Sequence, residues 1–224
     1  MMDAPLITEN CVVPLLETPF LRVFDLQYAP GRHYYDATRR PAEQLVAPKS
    51  EEDFQTMTPD AVTCVVVLQT PGQEPRLLLS YEYRYPAGRF LLSPPAGLID
   101  PKDAEEAQPL LTAALREIRE ETGITAAPSR LEVLNPLMFS SPGMTDESNA
   151  LVLAVFDLPN LSSLTQNGAE STECFDGFLL LTPEEAMTLL RRGRDAQGRF
   201  YSVYTWMALL WFGTGLWRSE TASA

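Results

Sequence analysis

The segment "PLLTAALREIREETG" constrains the fold more than any other part of the chain. Pro109 suits the first turn of a helix and Gly123 suits the position that ends one, so the segment predicts a helix from about Pro109 to Thr122. Apolar residues recur in it at helical spacing, namely Leu111, Ala114, Leu115 and Ile118. We expect this stripe to face a core.

The same helix carries three carboxylates near its end. Glu117, Glu120 and Glu121 fall on one face, because each residue of a helix advances by roughly 100°. Repulsion between such neighbours costs only a few tenths of a kcal/mol, so a solvated helix face could hold them without any function. Carboxylates at this spacing can also converge on a hard cation such as Mg²⁺. From the spacing alone, both interpretations stay open.

Strand patterns occur on both sides of this helix. Residues 11–28 predict short strands broken by Pro14 and Pro19, and the turn "TPGQEP" between two apolar runs predicts a hairpin. Later apolar runs predict more strands, "TPEEAMTLLRRG" predicts a capped helix, and the aromatic segment near the C-terminus predicts a packed helix rather than a membrane span. We therefore expect a mixed α/β sandwich, with a β-rich element and linker in residues 1–58 and the main domain in residues 59–224.

Charge and composition exclude several classes of protein. The formal net charge of -13 disfavours binding to nucleic acid or to an anionic membrane, and a polyanionic substrate would need a divalent cation and a few arginines. The single histidine and three widely separated cysteines provide neither a zinc site nor a histidine-activated nucleophile. The N-terminal residues lack the features of a secretion signal, so we predict a cytoplasmic protein.

Residues 116–124 resemble the second half of the Nudix hydrolase box, in which Arg-Glu-apolar-x-Glu-Glu-x-Gly-apolar follows a glycine and a further glutamate. Gly97 in "PAGLID" is similar to the opening glycine, but it lies nineteen residues before Arg116, where the box has fourteen. The resemblance therefore implies a five-residue insertion before the helix. Asp103 stands where the box has its first glutamate. The implied fold is a Nudix-type α/β/α sandwich with a mixed β-sheet and a small N-terminal β element.

The resemblance also implies a metal site. Glu117 and Glu121 are the expected ligands of Mg²⁺, with Mn²⁺ as an alternative ion, and Glu120 is a further ligand or a water-orienting catalytic group. The backbone carbonyl of Ala96 is a possible extra ligand. Arg116 is then expected to hydrogen-bond a neighbouring carboxylate and fix its rotamer.

The segment "LLLSYEYRYPAGRFLLSPPAGLID" resembles a stretch of the ADP-ribose pyrophosphatases in which a "QYR" arginine and an "ELPAG" strand precede the box. Arg84 corresponds to the substrate-contacting arginine, and Arg89 and Ser93 are further substrate-binding candidates. The family's acid in "ELPAG" is Ser93 or Pro94 here, so that acid's contact is missing. The alternative is that Arg84 and Arg89 are ordinary exposed charges.

A general base is expected outside the helix. The loop "SSPGMTDES" resembles a loop of the same enzymes and makes Glu147 the first candidate, either as base or as an additional metal ligand. Some relatives place the base in a later loop, where Glu170 and Glu173 are the alternatives.

The resemblance implies Mg²⁺-dependent hydrolysis of ADP-ribose to AMP and ribose 5-phosphate, in a homodimer. A UDP-sugar or another nucleoside diphosphate sugar is the alternative substrate, because the acid of "ELPAG" is missing. A Nudix regulator that binds a nucleotide without cleaving it is the least favoured interpretation, since such proteins typically lose the box acids that this chain keeps.

Overall fold

The computed structural model describes residues 4–169 and 173–218, and it divides them into two compact units. The first unit comprises residues 4–60 and 139–148. The second comprises residues 61–138, 149–169 and 173–218.

The first unit is a small β element with its own core. Its elements are β1 (Val12–Glu17), β2 (Arg22–Ala29), β3 (Arg32–Thr38) and the short helix α1 (Glu51–Gln55). Strand β2 pairs in the antiparallel sense with both β1 and β3. Phe24, Leu26 and Leu45 are buried together and form the core of this unit. The predicted N-terminal β element is therefore present.

Two local predictions in this unit were wrong. Pro14 does not break the first strand, because β1 lies at the edge of the sheet, where a missing N–H is tolerated. The pairing instead shifts register between Pro14 and Leu16. Helix α1 falls in a segment predicted as linker, and the Ser50 hydroxyl caps it by accepting from the Asp53 N–H at 3.1 Å.

A buried carboxylate lies in the first unit at Asp36, whose exposed fraction is 6%. Its Oδ1 accepts from the Asp146 N–H at 3.1 Å, while its Oδ2 has no hydrogen-bond partner among the described residues. Burial, together with the negative charge of Asp146, raises the pKa of Asp36 to about 6 against the opposing effects of that hydrogen bond and of Arg40. At neutral pH the folded chain therefore holds a costly charge.

We expect Asp36→Asn to raise the free energy of unfolding by about 2 kcal/mol at pH 8 and to leave it unchanged near pH 4. Near pH 4 the folded chain keeps this carboxyl neutral at no cost. Between pH 3.8 and about 6 the unfolded chain releases the proton of this carboxyl while the folded chain still holds it, so wild-type stability falls across that range and levels off above it. Urea unfolding at both pH values measures the difference. The exposed Glu43→Gln is the control, and a variant less stable than wild type at pH 8 would contradict the prediction.

The second unit contains most of a seven-stranded sheet. Its strands are β4 (Ala61–Gln69), β5 (Arg76–Arg84), β6 (Arg89–Ser93), β7 (Ala96–Leu98), β8 (Arg130–Phe139), β9 (Ser148–Asp157) and β10 (Phe175–Leu181). The order is β10-β5-β4-β9-β8, with β6 paired to β5 and β7 paired to β4. The predicted hairpin is confirmed as β4 and β5, which pair in the antiparallel sense, whereas β4 and β9 are parallel. The sheet is therefore mixed, as predicted.

Helices cover both faces of the sheet in this unit. They are α2 (Pro101–Ala104), α3 (Pro109–Thr122), α4 (Pro183–Arg192) and α5 (Val203–Gly213). Alternate residues of the central strands pack against α3 on one face and against α4 and α5 on the other. This arrangement confirms the α/β/α sandwich. Among the described residues, none of the helices has the length and apolar character that crossing a membrane requires.

Helix α3 has the predicted bounds, and Gly123 ends it at a φ of 72°. The predicted apolar stripe is right except at Leu115, which is 37% exposed; Ala113 is buried in its place. Two of the three glutamates are not on a solvated face, because Glu117 and Glu121 are buried. That burial makes the end of α3 the candidate functional site.

Candidate active site

The carboxylates at the end of α3 differ in exposure. Glu117 is 6% exposed and Glu121 is 3% exposed, whereas the side chain of Glu120 keeps a third of its surface in solvent. Ionised side chains are rarely buried to this degree unless a cation or hydrogen-bond donors compensate them. A solvated helix face therefore does not describe Glu117 and Glu121.

Arg116 connects these carboxylates to the preceding loop. Its Nη1 donates to Glu117 Oε1 at 2.7 Å and to Glu120 Oε2 at 3.2 Å. Its Nη2 donates to Asp103 Oδ2 and to the Leu98 carbonyl, each at 2.8 Å. The planar guanidinium offers donors in fixed directions, so these bonds restrain the rotamers of both glutamates. Asp103, which stands where the box has a glutamate, thus helps to hold Arg116.

Strand β7 brings the backbone against the buried glutamates. The Ala96 N–H donates to Glu121 Oε1 at 3.2 Å. At Gly97, an added Cβ would lie 2.0 Å from Glu117 Oε1, so only glycine leaves room for this carboxylate. The opening glycine of the box and its second half, separated by the insertion, therefore meet in the folded chain.

The buried carboxylates repel one another. Burial raises the pKa of Glu117 to about 7, against the opposing effect of Arg116. Burial also raises the pKa of Glu121 well above its usual value, and the charges of Glu82, Glu173 and Glu117 add to that rise. A divalent cation would reverse both effects, because it favours the ionised form.

The substrate-binding candidates lie on the hairpin of β5 and β6. Arg84 and Arg89 are exposed and face each other across the two strands. Ser93 is 3% exposed, so its hydroxyl is inside the protein rather than on the surface of the site. Arg84 Nη2 forms an ion pair with Glu82 Oε2 at 2.7 Å.

The three candidates for the base have different surroundings. Glu147 belongs to the first unit, where Arg39 Nε donates to its Oε2 at 2.8 Å. Glu170 lies outside the described residues. Glu173 precedes Cys174, whose carbonyl accepts from the Tyr83 N–H at 2.8 Å, and its charge raises the pKa of both Glu117 and Glu121. Of the two described candidates, Glu173 is therefore the one for which an electrostatic effect on the glutamates of α3 is found.

Within residues 4–169 and 173–218, no three Asp, Glu, His or Cys side chains are arranged as a ready-made metal site. The hydrogen bonds explain the observed orientations: Glu117 and Glu120 point to Arg116, and Glu121 points to the Ala96 N–H.

Sequence reasoning missed one charged residue of this region, Glu82. It interrupts the strand run "LLLSYEYR" and alternates with Leu78 and Ser80, which places it on the face of β5 that α3 covers. A charge on the buried face of a strand in mid-sheet is the signal that could have found it.

A family model described as "NUDIX domain" matches residues 57–204 of the chain. The chain is 30% identical to the ADP-ribose pyrophosphatase of Saccharomyces cerevisiae over 149 residues, which are 64% of this chain and 61% of that protein. It is 36% identical to the ADP-ribose pyrophosphatase of Mycobacterium tuberculosis over 119 residues, which are 53% of this chain and 50% of that protein. The chain thus spans between half and three fifths of the length of these relatives.

A solved structure titled "Crystal structure of ADP compounds hydrolase" superposes with a TM-score of 0.54. The match covers 93% of this chain and 94% of that chain at 19% sequence identity. At this identity the likeness supports the fold alone.

Proposed function

We propose, because the chain belongs to the Nudix family, that it hydrolyses the diphosphate bond of ADP-ribose with the help of a divalent cation, releasing AMP and ribose 5-phosphate. The observation that carries the proposal is the pair of buried carboxylates, Glu117 and Glu121, held by Arg116 and by the backbone of β7. Similarity to ADP-ribose pyrophosphatases over more than half of the chain supports the substrate class.

The residues present fit Mg²⁺ or Mn²⁺. The donors are carboxylate oxygens, which hard cations prefer, and they are desolvated and mutually repelling in the folded chain. Glu117 and Glu121 would hold the ion, with Glu120 and the Ala96 carbonyl as further oxygen donors. When bound there, a divalent cation supplies positive charge that offsets the charge of the diphosphate and makes a nearby water more acidic.

The chain's own residues orient the reactants. Arg84, exposed at the end of β5, is placed to donate to the non-bridging oxygens of a diphosphate, and Arg89 faces it from β6. Arg116 holds Glu117 and Glu120 in place through charge-assisted hydrogen bonds. A water oxygen attacks one phosphorus, the bond from that phosphorus to the bridging oxygen breaks, and a carboxylate takes the proton of the water.

We assign the proton acceptor to Glu173. Its negative charge acts on Glu82, Glu117 and Glu121, which supports a place for it in the same acidic cluster. Glu147 stays the alternative, and its partner Arg39 would have to release it.

A UDP-sugar is the second candidate substrate. The observation that favours it is that neither Ser93, which is buried, nor Pro94 carries a charge, whereas the ADP-ribose pyrophosphatases that this segment resembles have an acid at one of these positions. The alternative changes the nucleoside that the protein recognises but keeps the same chemistry at the diphosphate.

Incubation of the full chain with ADP-ribose, ADP-glucose or UDP-glucose, each with Mg²⁺, Mn²⁺ or EDTA, tests the proposal. Chromatography of the products should show AMP and ribose 5-phosphate from ADP-ribose with either metal and nothing in EDTA. Faster cleavage of UDP-glucose would select the second candidate. Absence of turnover with every substrate would refute the proposed hydrolysis and favour a nucleotide-binding regulator. Equal turnover in EDTA would refute the role of the divalent cation.

Three statements drawn from the sequence stay predictions. They are the division of the chain at residue 58, the cytoplasmic location and the homodimer.

A further inference from the structure

Glu82 is a charged residue in the interior of the sheet that none of the steps above uses. It lies near the end of β5, and its side chain keeps only 14% of its surface in solvent. An ionised carboxylate at such a position is stable only with strong partners.

Its partners are two of the substrate-binding candidates. Arg84 Nη2 lies 2.7 Å from Glu82 Oε2, and the Ser93 hydroxyl donates a hydrogen bond to the same carboxylate. Ser80 pairs with Ser93 between β5 and β6, which makes Glu82 and Ser93 diagonal neighbours on one face. The buried hydroxyl thus fixes the carboxylate, and the carboxylate fixes the exposed guanidinium.

The same carboxylate faces the acidic residues of the site. Burial raises the pKa of Glu82 against the opposing effects of Arg84 and Ser93, and the charge of Glu173 adds to the rise. Glu82 in turn acts on Glu121. Glu82 therefore pairs with the Arg84 guanidinium and also interacts electrostatically with the acidic residues Glu121 and Glu173.

We propose that Glu82 is a positioning residue, which holds the Arg84 guanidinium in the orientation that receives the diphosphate, with Ser93 as its buried support. The "ELPAG" motif of the ADP-ribose pyrophosphatases has an acid where this chain has Ser93 or Pro94. Here Glu82 on β5 supplies a carboxylate instead. This inference rests on the proposed function, because it takes Arg84 as a diphosphate-binding residue.

A double-mutant cycle tests the proposal through binding rather than turnover. The probe is α,β-methylene-ADP with Mg²⁺, whose diphosphate analogue cannot be cut, and calorimetry gives its Kd. We expect Glu82→Gln to raise Kd about tenfold, and Arg84→Gln to raise it more. Because Glu82 acts through Arg84, the double variant should match Arg84→Gln alone. The proposal would be overturned if the Kd increases of the two single variants multiplied in the double variant, or if Glu82→Gln left Kd unchanged.

If Glu82→Gln does not fold, Ser93→Ala provides a second test, because it removes only the hydroxyl that donates to Glu82. It should raise Kd about threefold in the wild-type background and not at all in the Arg84→Gln background. An effect of equal size in both backgrounds counts against the proposal. Glu74→Gln, in the exposed turn before β5, is the matched control and should leave Kd unchanged.

The two proposals can fail separately. A wild-type chain that cleaves no nucleoside diphosphate sugar but shows the expected cycle refutes the hydrolase and keeps the role of Glu82. If the wild-type chain cleaves ADP-ribose but Glu82 and Arg84 show no coupling, the hydrolase proposal stands and the role of Glu82 is refuted. If Glu82 only stabilised the fold, Glu82→Gln would lower the melting temperature, but its effect on Kd would not depend on Arg84.

Discussion

Glu117→Gln is expected to lower kcat/KM for ADP-ribose by about a thousandfold or more while the chain stays folded. The amide is nearly isosteric with the carboxylate, and its oxygen can still accept from Arg116 Nη1, which now lies 2.7 Å from Glu117 Oε1. What the variant loses is the negative charge that a divalent cation needs. Mn²⁺ binding, measured by electron paramagnetic resonance, should weaken in parallel.

The stability of the same variant separates loss of function from loss of fold. Burial raises the pKa of Glu117 to about 7, so at pH 8 the metal-free wild type holds a buried charge that neighbouring carboxylates repel. The amide removes that repulsion. We therefore expect the melting temperature of Glu117→Gln in EDTA at pH 8 to be equal to or above that of wild type.

Glu184→Gln is the matched control, because Glu184 is an exposed glutamate of helix α4. It should leave kcat/KM, Mn²⁺ binding and the melting temperature unchanged. If Glu117→Gln kept more than about a tenth of the wild-type kcat/KM, the carboxylate would not be a metal ligand and the proposed chemistry would fail.

Helix bounds were the best predicted part of the fold, because local residues set them. Pro109 and Gly123 start and stop α3 by their own backbone preferences. At α4, Thr182 and Glu185 cap each other's backbone N–H groups in the pattern read from the sequence. Such signals depend on residues a few positions apart, so a single sequence contains them.

Burial was predicted less well, because distant parts of the chain decide it. Leu115 satisfies the helical spacing but is exposed, while Glu117 is buried because β7 passes over it. The link from Glu82 to Glu121 depends on which strands pair, and no local pattern encodes that pairing. The metal-binding candidates stay predictions from the family resemblance. The hydrogen bond from Arg116 to a neighbouring carboxylate was expected from that resemblance, whereas the burial of Glu117 and Glu121 required the structure.

Gly97→Ala should have the second large effect, from a single added methyl group. The new Cβ would lie 2.0 Å from Oε1 and 2.1 Å from Cδ of Glu117, and side-chain atoms cannot approach this closely. The carboxylate must therefore move, and its bond to Arg116 is lost. We expect kcat/KM to fall about a hundredfold and the free energy of unfolding to fall by about 1–3 kcal/mol.

Gly213→Ala is the control, because it adds the same methyl group at a position outside the candidate site. Its added Cβ would lie 2.6 Å from Met187 Sδ, the flexible end of a side chain that can turn away. Activity should stay at the wild-type level in this variant, and the helix should gain a little stability.

Adding Glu117→Asp to Gly97→Ala shortens the crowded side chain by one methylene, so stability should return while activity does not. If Gly97→Ala alone kept activity within about threefold of wild type, the site would tolerate a displaced carboxylate. The contact between the opening glycine and the box helix would then have no part in the chemistry.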